Sequence, residues 1–284
     1  MGLGGRLDCT NIITPILSII TNISLDHIQF LGNTLGAIAA EKAGIIKHGV
    51  PVVIGESVPE TQIVFKAKAQ KEESLIIFAE DIPTVLSSHP HPDGGIAYHT
   101  RFFGDIVGEL GGNYQEKNTN TVLTAAMQLY NKGVIKNTDS IVKGFANVYK
   151  ATGLMGRWQK LQANPLVICD TGHNAGGWTY LSQQINRQAC KQKRMVFGMV
   201  DDKDLHAVMS MLPDDAIYYW TQPSTHRAFP AEKVAETADD YDLHGKVYPT
   251  VLEAYRAALQ DADKDDFIFV GGSSYVVADL LSGL

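Results

Sequence analysis

Four polar clusters directly follow apolar runs: Asp26-His27, Asp170-Thr-Gly-His-Asn174, Asp201-Asp-Lys-Asp204 and Gly271-Gly-Ser-Ser274. In open α/β sheets, ligands sit beyond the carboxyl ends of strands, so such clusters are the first suspects for chemistry. Asp26 and His27 put a carboxylate beside an imidazole, a pair able either to hold a cation or to cap the next element. The stretch Asp170–Asn174 is a strand-to-helix turn followed by two glycines, whose backbone N–H groups suit an anion. A tight βα turn closed by a helix cap reads equally well. Gly271–Ser274 has the same two readings, because its serines can N-cap the last helix. Lys42, next to Glu41, lies in an apolar helical pattern. It is either a snorkelling lysine or a desolvated amine with a neutral fraction. A neutral amine can add carbon dioxide and become a carbamate, which binds a hard cation as a carboxylate does. Arg157 follows a glycine-bearing break, where a guanidinium can take phosphate bidentately or stand at the surface. His89-Pro-His91 offers two imidazoles in what reads as a solvated loop. Gly2-Leu-Gly-Gly5 is a weak phosphate-loop signal, and no G-x-x-x-x-G-K-[ST] run occurs in the 284 residues.

The elements that position these residues follow from periodicity. The run Pro15–Ile23 is apolar and β-branched, as in a strand buried on both faces. A helix is predicted over about Thr34–Ile46, then a strand over Val50–Ile54, giving a β-α-β unit. Further predictions are a strand at Leu75–Phe78, a hairpin within Ile96–Leu110, and helices over about Glu116–Tyr130 and Asp139–Val148. Lys150–Gly156 reads as a linker. Beyond it, strands are predicted at Leu166–Cys169, Arg194–Phe197, Ala216–Trp220, Lys246–Tyr248 and Phe267–Val270. Helices alternate with them near Trp178–Ala189, Lys203–Met211, Ala231–Ala238, Val251–Asp261 and Tyr275–Leu281. Such alternation implies parallel α/β sheets, and the length fits two domains.

The chain is 45% hydrophobic and 19% charged, an ordinary globular balance. No run of 18 apolar residues suggests a membrane span. Met1–Thr10 lacks a basic region followed by an apolar run, so no secretory signal is expected. Cys9, Cys169 and Cys190 form no C-x-x-C pair, which fits a reduced, cytoplasmic setting. The net charge of −7 without a long basic block argues against general nucleic-acid binding.

Taken in order, several stretches closely resemble the folylpolyglutamate synthase/dihydrofolate synthase family, relatives of the Mur ligases. They are Gly2–Asp8 with Thr10-Asn11, Ile20–His27, Phe30-Leu-Gly32 with Thr34, Ile38-Ala39, and Glu41–Lys47. Gly112–Gln115 with Asn118, Gly156–Gln159, Asp170-x-Gly-His-Asn174, Gly198 with Asp202–Asp204, and Gly272-Ser273 complete the series. The resemblance implies a partial Mur-ligase-like central ATPase domain over 1–149 and a Rossmann-like glutamate-ligase domain over 150–284, with the active site in the cleft between them. It implies ATP and magnesium as cofactors. The substrates it implies are dihydropteroate or a folate together with L-glutamate, joined through an acyl phosphate by a monomeric, cytoplasmic enzyme. By position, His27 matches a magnesium ligand and Lys42 the carbamylated lysine. Asn118 matches an adenine contact, while Arg157 and Asp170 match nucleotide contacts. His173 and Ser273 match positions near the incoming glutamate. The family's phosphate loop and a metal-binding glutamate have no counterpart here, so negligible ligation is expected from this chain alone. Ala175 and Met155 stand where the family frequently has proline. A Mur-type ligase of peptidoglycan precursors and a non-catalytic remnant that binds folate or partners are the alternative readings.

Overall fold

The computed structural model describes residues 4–24, 32–92, 94–201 and 203–284. The chain forms an α/β fold in two compact units. The first comprises Met1–His91, Ile96–Glu109 and Tyr114–Ala151; the second comprises Pro92–Gly95, Leu110–Asn113 and Thr152–Leu284.

Unit 1 contains a parallel sheet of β1 (Ser18–Ile20), β2 (Val52–Ile54) and β3 (Ile76–Phe78), in that order. The central strand is buried along its whole length, which accounts for its unbroken Val-Val-Ile. Helix α1 (Leu35–Ala43) links β1 to β2, and α2 (Pro59–Lys71) links β2 to β3. Thr34 caps α1 by accepting from the Ala37 N–H at 3.1 Å. Ile20, Ala39, Ala43, Ile46, Val52, Ile54, Phe65 and Phe78 form the core between sheet and helices. Helix α2 is not among the predicted elements. Only Thr61, Phe65 and Ala69 are buried along it, spaced by four, and the charged residues between them hide that stripe.

A second, antiparallel sheet in unit 1 pairs β4 (Val85–Pro90), β5 (Ile96–Thr100) and β6 (Gly104–Gly108). The predicted hairpin corresponds to β5 and β6. The sequence hides β4, whose Val-Leu-Ser-Ser-His-Pro is polar and ends in proline. Helices α3 (Gln115–Asn131), α4 (Asp139–Phe145) and α5 (Val148–Thr152) follow, so the single helix predicted over Asp139–Val148 is two. Asn120 on α3 secures the crossing. Its Oδ1 accepts from Thr84 N–H (2.7 Å) and Val85 N–H (3.2 Å), and its Nδ2 donates to the Ala79 carbonyl (2.8 Å).

Unit 2 is a six-stranded sheet in the order β11-β10-β9-β12-β8-β7. The strands are β7 (Gln159–Ala163), β8 (Leu166–Asp170), β9 (Lys193–Phe197), β10 (Ala216–Trp220), β11 (Gly245–Val247) and β12 (Phe267–Gly271). All run parallel except β7, a polar edge strand that periodicity did not pick out. The connecting helices are α6 (Ala175–Asn186), α7 (Leu205–Met209), α8 (Ala231–Asp239), α9 (Val251–Asp261) and α10 (Ser274–Ser282). One sheet face gives Val167, Cys169, Val196, Tyr219, Ile268 and Val270 to a core under α9 and α10. An aromatic cluster lies in the rest of the core: Trp178 of α6 meets Phe197 and Phe269 edge-on, with centroids 5.6 and 5.8 Å apart. Among the described residues, no helix is long and apolar enough to cross a membrane.

Candidate active-site residues

In unit 2, the carboxyl ends of β8 and β12 carry most of the candidates. Asp170, the last residue of β8, is 1% exposed, and its carboxylate is used by the backbone. Its Oδ2 accepts from Trp158 N–H (2.7 Å) and its Oδ1 from Gly172 N–H (2.8 Å). These bonds fasten the Gly156-Arg157-Trp158 turn to the strand end. The Gly156 N–H donates to Gln159 Oε1 (2.8 Å), and its carbonyl accepts from Thr171 N–H (2.9 Å). Trp158 is held at φ +49°, a conformation that costs free energy in a non-glycine residue. Packing on Phe267 and Phe269, at 6.4 and 6.1 Å, offsets that cost. Gly156, at φ +71°, has no room for a Cβ, which would lie 2.7 Å from Thr171 Cγ2. Half-buried Arg157 therefore leaves a backbone fixed on both sides.

His173 lies three residues beyond Asp170, the last residue of β8, and Thr171 is one of its contacts. His173 Nδ1 lies 3.0 Å from the Thr171 carbonyl. A carbonyl only accepts, so Nδ1 carries a proton, and Nε2 is the ring atom left to face a ligand. Asn174 caps α6, its Oδ1 accepting from Gly177 N–H at 2.9 Å. At the end of β12, Ser273 is buried and its Oγ accepts from Tyr275 N–H at 3.2 Å, so this serine caps α10. Gly272 adopts φ +99°, and a Cβ there would lie 2.5 Å from the Gly198 carbonyl oxygen. Arg157, Asp170, His173 and Ser273 thus gather at one edge of one sheet. Gln159, which fixes the turn before it, escapes a sequence reading because nothing marks a lone glutamine as a brace.

Unit 1 holds the remaining candidates. His27 and Asp26 lie outside the described residues, as do Gly2 and Asp202. Lys42 is half-buried near the end of α1. A clasp forms on the residues next to it in the chain: Arg6 pairs with Glu41 at 3.1 Å, and the Arg6 N–H donates to the Glu41 carbonyl at 3.0 Å. Asn11 Nδ2 donates to the Gly44 carbonyl (3.0 Å), and Lys47 Nζ donates to the Asn11 carbonyl (2.7 Å). The stretch from Arg6 to Asn11 is thereby tied to the Glu41–Lys47 stretch. The hydrogen bond and charge of Glu41 raise the already high pKa of the Arg6 guanidinium. Asn118 is half-buried on α3, its Nδ2 3.3 Å from Gln115 Oε1. Near the start of α3 lies a cavity of about 240 Å³, lined by Glu56, Glu80, Glu116, Lys117 and Asn120 among others. Its carboxylates are engaged: Glu56 by Lys117, Glu80 by the Ser57 N–H (3.0 Å) and Glu116 by the Ser88 hydroxyl. Among the described residues, no group of three His, Cys, Asp or Glu side chains could hold a metal ion.

Residues 156–274 match the Mur ligase, glutamate ligase domain. Over 98% of its length, the chain is 30% identical to the folylpolyglutamate synthase of Lacticaseibacillus casei. Over nearly its whole length the chain is similar to folylpolyglutamate synthases and dihydrofolate synthases. It spans 64% of the L. casei enzyme. Solved structures of the family superpose on it. E. coli FolC in complex with DHPP and ADP has a TM-score of 0.79 at 28% identity, covering 99% of this chain and 64% of that one. The Yersinia pestis enzyme complexed with AMPPNP and Mn ion has a TM-score of 0.77 at 26% identity, covering 99% and 64%.

Proposed function

We propose that this chain supplies two domains, a central ATPase domain over 1–149 and a glutamate-ligase domain over 150–284, to an ATP-dependent ligase. That ligase joins L-glutamate to dihydropteroate, to folate polyglutamates, or to both. The observation that carries this reading is the gathering of Arg157, Asp170, His173 and Ser273 at the carboxyl edge of the unit 2 sheet. Three of these four residues are followed or preceded by the glycines that let backbone approach closely there, and all four lie within the segment that matches a glutamate-ligase domain.

In the proposed reaction, ATP phosphorylates a substrate carboxylate and the glutamate amine displaces phosphate from the acyl phosphate. ATP with a divalent cation, magnesium by preference, supplies the activation. Arg157 offers a planar fork for phosphoryl oxygens on a backbone held by Asp170. Both Asp170 oxygens serve backbone N–H groups, so its main contribution to nucleotide binding is to fix that turn. When its ring is neutral, His173 presents Nε2 as an acceptor for the incoming amine, and buried Ser273 acts by shaping the edge beside it. Asn118 would meet the base, while Lys42, as its carbamate, and His27 would hold the cation. The protein works as a cytoplasmic monomer in this reading.

The 284 residues contain no G-x-x-x-x-G-K-[ST] run. Negligible ligation is therefore expected from a polypeptide of this length. Joined to the part of a family member that carries such a loop, it should form glutamylated folate or dihydropteroate, with release of phosphate. Mass spectrometry of the product decides the matter. Glutamylation restricted to muramoyl peptides, or no product from a chimera that binds ATP and folate, rejects the reading.

A further inference from the structure

The loop after β10, residues 221–230, is braced from three sides at the same carboxyl edge, and one brace lies outside the segment that matches the glutamate-ligase domain. Asp279, in the second turn of α10, accepts from both polar groups of Ser224: the N–H at 2.6 Å and the hydroxyl at 2.7 Å. The Gln222 side chain accepts from Ala231 N–H at 3.0 Å, closing the far end of the loop. The loop after β9 holds the middle. The Asp201 N–H donates to the Arg227 carbonyl at 2.8 Å, the Phe229 N–H to the Met199 carbonyl at 3.0 Å, and Val200 pairs with Ala228 in an antiparallel bridge. Between the Ser224 brace and this bridge, the chain turns tightly, with Ala228 N–H on the Thr225 carbonyl at 3.1 Å. That turn carries Thr225, the imidazole of His226 and the guanidinium of Arg227.

We propose that Asp279 is a positioning residue for amino-acid recognition: it holds the 221–230 loop so that His226 and Arg227 meet a carboxylate of the incoming dicarboxylic amino acid. This inference rests on the glutamate-ligase reading of unit 2. A guanidinium carried on a fixed backbone has less freedom to lose on binding a carboxylate than one on a mobile loop, and it can make two parallel hydrogen bonds. Asp279 touches no substrate in this scheme; it acts only through the loop.

The test titrates the 284-residue chain with L-glutamate, in the presence of ADP and magnesium, by isothermal calorimetry or ligand-observed NMR. Asp279→Ala should weaken binding about tenfold, the scale of one charge-assisted hydrogen bond made imperfect. Amide hydrogen exchange of residues 221–230 should quicken with it, while ADP affinity and the thermal midpoint stay at parent values. Asp279→Asn can accept from the Ser224 N–H and donate to its hydroxyl, so it should stay within about threefold of the parent. Arg227→Ala should lose glutamate binding more severely than Asp279→Ala. If the parent binds glutamate and Asp279→Ala binds it equally well, or if Asp279→Asn is as weak as Asp279→Ala, the positioning role is wrong while the glutamate-ligase reading stands. A parent chain that binds ADP but no glutamate overturns both.

Discussion

Arg157 is a residue whose neighbours fix the backbone that carries it. In an active form of the protein, Arg157→Ala is expected to slow the chemical step by about a hundredfold to a thousandfold, the 3–4 kcal/mol scale of one lost transition-state donor. Lysine at that position should restore charge without the planar fork and recover only part of the rate. Steady-state kinetics with ATP and glutamate varied separately would show it; a rise in the glutamate KM alone, with turnover intact, would remove Arg157 from the phosphates. The cysteines allow a test of the packing itself. Cys9 is exposed, Cys190 half-buried and Cys169 fully buried. Burial, aided by the charge of Asp170, pushes the Cys169 thiol up to about 12. Ellman's reagent at pH 8 should therefore label Cys9 first, Cys190 more slowly and Cys169 only on unfolding. Rapid labelling of Cys169 in the folded chain would contradict the sheet core described above. At this scale, the sequence showed which residue types sit after strands and could not show how they are used. Asp170 is a strand-end carboxylate in either case, but only the hydrogen bonds from Trp158 and Gly172 reveal that it organises a turn. Ser224 and Asp279 are 55 residues apart, and nothing local in either marks the pair.

At the scale of elements, the long parallel strands were legible because burial on both faces leaves apolar runs without gaps, as in Phe267–Gly271. The polar edge strand β7 and the short polar β4 were not, since each is held by pairing with a neighbour rather than by its own pattern. Helix α6 starts at Ala175, ahead of the predicted Trp178, because Asn174 caps it and two glycines form its first turn. Similarly, α7 stops at Met209, short of the predicted Met211. The joint between α3 and β4 depends on one amide. Asn120→Ala would remove two acceptor bonds and one donor bond to partly buried backbone, and should destabilise unit 1 by about 2–4 kcal/mol. Asn120→Asp keeps the acceptor and should cost less. Urea titrations of both variants measure this, and an Asn120→Ala midpoint equal to the parent's would show that the joint does not depend on the amide. In unit 2, Gly172→Ala would place a Cβ 2.3 Å from Leu181 Cδ1, so the βα turn must shift to accept it.

For the whole molecule, the buried titratable groups set an alkaline limit on stability. Burial raises the Cys169 thiol from 9.0 to about 12, and raises Tyr98 and Tyr219 from 10.0 to about 12. Each folded value lies above the unfolded one, so the unfolded chain releases these protons first. Their contribution is therefore complete below pH 9, declines as pH rises through 9 and 10, and is lost near 12. Denaturation midpoints measured from pH 7 to 11 should be flat up to about pH 9 and then fall. Cys169→Ala should lower the plateau but delay the onset of the fall towards pH 10, where the tyrosines begin to titrate. A curve whose onset does not move in that variant would assign the alkaline limit to other groups.

Unit 2 draws Pro92–Gly95 and Leu110–Asn113 from within the stretch of chain that otherwise builds unit 1. Gly111 lies against Gly94 and Trp158, and the Asn113 N–H donates to Gln184 Oε1 at 2.9 Å. The order of synthesis therefore differs from the order of assembly. On a ribosome, these two short segments emerge long before the tryptophan and glutamine that receive them, and must wait in the nascent chain while the strands of their own unit are still being translated. A gene cut at residue 152 would express the six strands without their first-made pieces, leaving a bare indole surface and an unanswered glutamine where Gly111 and Asn113 belong.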